Sequence, residues 1–100
     1  MNMEKLRSLL SEVIKKIPNT ENSYDFDAHD VIRKLITLYP DDFELLLSQQ
    51  KDVDTEHAIH RVHMTIGNIL TEMQGIKYKG KHASPNYKGE AVQNSTWKKI

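Results

Sequence analysis

The apolar residues of this chain change their period once, at Gly75, and that change sets the outline of the fold. Upstream they recur every three or four residues; downstream they alternate. The first spacing lines one face of a helix and the second lines one side of a strand. Leu6, Leu9, Leu10, Val13, Ile14 and Ile17 define an amphipathic helix over residues 3–17. Lys15 and Lys16 suit its C-terminal dipole, and Pro18 stops it. PNTENSY, residues 18–24, is a polar loop. Asp27 then caps a second helix, with Phe26 placed to staple onto Val31. Its inner face is Val31, Ile32, Leu35, Ile36, Leu38 and Tyr39. Pro40 ends it, and Asp41 with Glu44 three residues on gives a capping-box pattern for a third helix. That helix turns Phe43, Leu46 and Leu47 inward and reaches about Gln50. A break of only Tyr39-Pro40-Asp41 leaves no slack for an antiparallel return, so helices two and three must cross steeply. The fourth helix spans residues 54–74, with Ile59, Val62, Ile66, Ile69, Leu70 and Met73 on its core face. Gly75 occupies a left-handed C-cap position. Gly67 lies mid-helix, where glycine costs roughly 1 kcal/mol against alanine, and this predicts close approach of another backbone.

Beyond Gly75, IKYK places Ile76 and Tyr78 on one side and Lys77 and Lys79 on the other. Residues 80–95 are rich in turn formers, and TWKKI favours strand. Two short strands around a basic loop make a hairpin. The alternatives are a disordered tail from Lys79 or a final helical turn capped by Asn94 or Ser95. Trp97 argues against disorder, because a lone tryptophan is usually buried. The expected class is mostly α (α+β): four helices followed by a C-terminal basic β-hairpin in a single domain over residues 1–100. Within it, residues 3–17 are an extra helix, 27–74 the helical core and 76–100 the hairpin.

A chain of 100 residues supports one small core. With no cysteine it has neither disulfides nor a thiolate metal site, which fits a reducing compartment. MNMEKLRSLL meets an acid at Glu4, so neither a signal peptide nor a membrane span fits. The expectation is a cytoplasmic protein without a membrane partner. Net charge is zero but unevenly spread. Residues 1–74 carry eight Lys/Arg against thirteen Asp/Glu, and residues 75–100 carry six lysines against Glu90. A basic end on an acidic body suits an anionic partner, although a solvated lysine-rich tail explains the same asymmetry.

The stretch TEHAIHRVHMTIGNIL sets His57, His60 and His63 three residues apart. At about 100° per residue His63 falls at the edge of the core face, while His60 and His57 turn away from it. His57 and His63 then point about 120° apart and cannot grip one ion together. A metal site would need His57 with His60, or His60 with Glu56 or His63, plus ligands from elsewhere such as His29 or Asp30. The outward stripe His57, His60, Arg61, Met64 and Asn68 is polar and free of acid until Glu72. Arginine and asparagine are strong readers of guanine and adenine edges; a merely solvated face is the plainer account. Asp25, Asp27 and Asp30 beside His29 suggest acid–base chemistry, but Asp27 serves as a cap and the others as a solvated first turn. No G-x-S-x-G, P-loop or G-x-G-x-x-G is present. Neither an enzyme nor a cofactor is expected.

Helix, short break, helix, loop, longer helix and basic hairpin: in this order of elements residues 27–100 resemble the winged helix-turn-helix family, in arrangement rather than by a specific motif. The resemblance implies that the fourth helix enters the major groove of double-stranded DNA and that residues 76–99 form a wing on the backbone. His57, His60, Arg61, Met64 and Asn68 would then face bases, and Lys77, Lys79, Lys81 and Lys88 phosphates. Tyr78, Tyr87 and Trp97 would chiefly pack the hairpin. The first strand of that family, usual between its first two helices, is expected to be missing or reduced to residues near Tyr39. Asp52, Asp54 and Glu56 crowd the start of the fourth helix, where they cap it but repel phosphate. The implied function is a small DNA-binding regulatory or accessory factor. It could pair as a homodimer through Leu6, Leu9, Leu10 and Val13, the alternative being that these residues close the core. The other readings are a protein-interaction module with an acidic helical body and a metal-binding protein using His57 and His60.

Overall fold

The computed structural model describes residues 1–51, 53–85 and 89–100. They form the four helices and C-terminal hairpin that the change of period predicts, and a short further strand that makes the sheet three-stranded and antiparallel. Helix α1 spans Met3–Lys15, with Asn2 accepting a hydrogen bond from the Lys5 amide at its N-cap. The next two residues continue as a tighter turn, Lys16 and Ile17 donating to Val13 and Ile14. Pro18 accounts for this, because its ring disfavours helical backbone in the residue before it. α2 covers Ala28–Leu38, and its N-terminus is a full capping box between Asp27 and Asp30.

The third helix differs from expectation. α3 begins at Pro40 and ends at Ser48, with Tyr39 at its N-cap and no side-chain cap. Proline's fixed φ and missing N–H suit the first helical position, so the chain restarts there and the Asp41–Glu44 box does not form. α4 runs Thr55–Glu72 from an Asp54 cap. Gly75 has the expected positive φ, 87°, but it serves the turn into the sheet, since the helix has already ended.

Strand β1 is only Phe26–Asp27, between α1 and α2, and among the described residues no strand forms near Tyr39. β2 is Ile76–Pro85 and β3 is Ala91–Lys99, so the hairpin is far longer than IKYK and TWKKI suggest. The sheet order is β1-β3-β2, with Phe26 opposite Trp97 and Tyr78 also opposite Trp97. Between Tyr78 and Lys81 the register slips by one residue at a bulge, where Gly80 adopts φ 85°. Side chains alternate along a strand, so the slip puts Lys81, opposite Ser95, on the Trp97 side of the hairpin. Lys77, opposite Lys98, lies on the other side.

α1 packs on α2, α3 on α4, and α2 on both α4 and β3. The core joins Leu6, Leu10 and Val13 of α1 with Val31, Ile32 and Leu35 of α2, Phe43 and Leu46 of α3, and Val62, Ile66 and Leu70 of α4. Phe26 and Trp97 close it from the sheet, their rings stacked at 6.1 Å. Leu6, Leu10 and Val13 are therefore internal, and the α1 face suggested for a homodimer closes the protein's own core. Ile36 is exposed rather than inward, and Ala58 takes a buried place while Ile59 is only partly covered. Among the described residues no helix is long and apolar enough to cross a membrane.

Candidate functional site

α4 presents its long outer flank beside the hairpin. His57, His60, Arg61, Met64 and Asn68 are all exposed there, Met64 by 57%. Between this flank and β3 runs an open groove of about 580 Å³. His60, His63, Met64, Gly67, Asn68 and Thr71 of α4 form one wall; Ala28 and His29 at the start of α2 close one end. The other wall is Lys81 of β2 with Val92, Gln93, Asn94, Ser95 and Trp97 of β3. Among the described residues no carboxylate lines it, in a chain with fourteen acidic residues.

The sequence-selected residues are thus only partly gathered. His60, Met64, Asn68 and Lys81 meet in the groove. His57 lies toward the helix start, where it shares a second depression with Glu56, His60 and His63. Arg61, Lys77 and Lys79 are exposed outside the groove. Lys88, like Tyr87 and Asp52, lies outside the described residues. Lys98 is committed elsewhere, bound to the carbonyls of Thr20 and Asn22 and to Asp25.

Gly67 borders the groove, and a Cβ built on it would meet nothing within 4 Å. The close backbone approach expected at Gly67 is absent; the glycine faces open space.

The histidines have different surroundings. His57 pairs with Asp54 at 2.8 Å on the surface. Asp54 is held below its ordinary value by hydrogen bonds from the amide and then the ring of His57. His63 sits edge-on to His29, ring centroids 4.9 Å apart. Burial, then the neighbouring His29 and His60, lower its pKa to about 4. It is therefore neutral at pH 7. Among the described residues no group of three His, Asp or Glu is placed to hold a metal ion.

The chain matches no protein-family model, no curated protein and no solved structure. The site must be read from its own chemistry.

Sequence reasoning missed Asp25. It is not a solvated first-turn residue: its side chain is fully buried and accepts from the amides of Thr20 and Lys99 and the ammonium of Lys98. Burial raises its pKa, but these three donors outweigh it and lower the value to about 2. It fastens the end of β3 to the 18–25 loop. Its neighbour Lys99 adds a bond from its ammonium to the Ile17 carbonyl. Partners so distant in sequence leave no local signal.

Proposed function

We propose that this protein binds double-stranded DNA as a winged-helix domain, acting in the cytoplasm as a small regulatory or accessory factor. The groove side of α4, lined by no carboxylate among the described residues and standing open beside a hairpin that contributes Lys81, is the observation that carries the reading. A surface without carboxylates is what a polyanion requires, and Arg61 and Asn68 have base-reading chemistry. The element order supports it too. β1 falls between α1 and α2 and pairs with the last strand; in the winged arrangement this makes α1 the first helix and α3 an added one. Asp54 and Glu56 at the helix start oppose phosphate, with Asp54 paired to His57.

The test is a titration of random-sequence duplexes of roughly two helical turns by fluorescence anisotropy. Affinity should drop steeply between about 50 and 200 mM salt. Lys79→Glu should weaken all sequences alike, whereas Arg61→Ala should relax preference at one base pair. No binding at low salt overturns the reading. A protein-partner function would then draw on a separate observation, the exposed Ile36 and Leu45 on the outer faces of α2 and α3.

A further inference from the structure

The groove between α4 and β3 has a property that base reading does not need: three imidazoles crowd one side of it. His29 from α2 and His60 and His63 from α4 line it, and His29 and His63 touch. Lys81 faces them from β2, placed on that side by the bulge at Gly80. β3 contributes amides, a hydroxyl and an indole, with no ionisable group. Around the cluster, Asp30 of α2 is occupied by the Asp27 amide and Arg33. Glu56 lies beside His60 in the depression at the helix start, outside the groove. Two buried ring nitrogens also belong to residues lining the groove. Nδ1 of His29 and Nε1 of Trp97 have no hydrogen-bond partner among the described residues. Both nitrogens lie buried behind the groove wall, where they add unpaired polarity beside an anion without touching it.

We propose that this groove is a proton-coupled site for an anionic oxygen group, either a backbone phosphate of nucleic acid or free inorganic phosphate. The anion sits between Lys81 and the His29–His60–His63 cluster, and its arrival draws a proton onto the imidazoles. The physical basis is a change of sign. In the free protein burial, and then the neighbouring His29 and His60, hold His63 down near 4. A negative group in their midst favours the charged form. Binding therefore strengthens as pH falls toward the depressed midpoint of His63. This inference shares a face with the DNA reading but stands on the groove alone.

The experiment follows the imidazole resonances of the whole protein by NMR from about pH 7 to 3.5, a range that spans the free and raised midpoints of His63, at fixed ionic strength. It is run alone, with inorganic phosphate and with a random duplex, and His→Gln variants assign the signals. The midpoint of His63 is expected to rise by about one pH unit when the anion is present. Affinity should climb as pH falls through 5 toward 4 and below, by up to about tenfold in all for a midpoint raised by one unit. His63→Gln should flatten that slope, and Lys81→Ala should weaken binding at every pH. Gly67→Met puts a side chain into open space from a better helix former, so it keeps the fold and should abolish binding. A response to phosphate without duplex binding supports this site and removes the DNA reading. A proton-linked response to duplex alone supports both and names nucleic acid as the source. Duplex binding with flat pH dependence and unmoved histidines overturns the site and spares the DNA reading. No response to either probe overturns both.

Discussion

At the scale of single residues, Asp25 and His63 both cost stability on acidification, in different pH windows and from opposite causes, a favoured charge and a disfavoured one. Asp25 is charged, buried and bound by three donors. Asp25→Ala would leave those donors without their acceptor, and a loss of about 2–4 kcal/mol is expected in urea unfolding. Its folded pKa lies below the unfolded one, near 2 against 3.8. The stability it brings is complete above the unfolded value and disappears as pH drops through the folded one. His63 is a histidine with a depressed value, about 4 against 6.5. In that window the unfolded chain binds the proton and the folded one does not, so stability declines on acidification from 6.5 toward 4. After allowance for solvent screening the decline is on the order of 1–2 kcal/mol. Replacing His63 by glutamine should remove it, and urea midpoints at pH 7 and pH 5 provide the check.

At the scale of elements, the bulge governs what the hairpin presents. Valine in place of Gly80 would force a β-branched residue toward φ 85°, a strain of about 1–3 kcal/mol. Either stability falls by that amount, or the outer hairpin slips into regular pairing and carries Lys81 to the far side. Cross-strand NOEs between Lys81 and Ser95 tell the two apart, and an unchanged register with unchanged stability contradicts the argument. The bulge also marks the limit of what the sequence discloses. The four helices announce themselves because each carries an apolar stripe over several turns, cut by Pro18, Pro40 and Gly75. β1 does not, since two residues have no period. The outer half of the hairpin does not either: Lys81, Ala83, Val92 and Gln93 are exposed, and a strand with both faces wet shows no alternation of hydropathy. The α4 flank was legible from helical geometry, but the groove was not. It depends on a one-residue slip that decides which lysine faces the histidines.

At the scale of the whole molecule, Trp97 ties the sheet to the helical body. It is 1% exposed and touches both Phe26 and Tyr78. Because it is the one tryptophan of the chain, its fluorescence reports docking of the sheet while far-UV circular dichroism reports mainly helix. The two signals should show one midpoint, as a two-state domain requires; earlier loss of fluorescence would mean that the hairpin detaches first. The pairing of Phe26 with Trp97 also bears on time. Helical turns form locally within about a microsecond. The central strand of this sheet is the last to be synthesised, and it must find a partner most of the chain away. Such remote encounters slow folding. A two-residue strand, too short to persist unaided, thereby becomes the latch whose closing sets the pace for the rest.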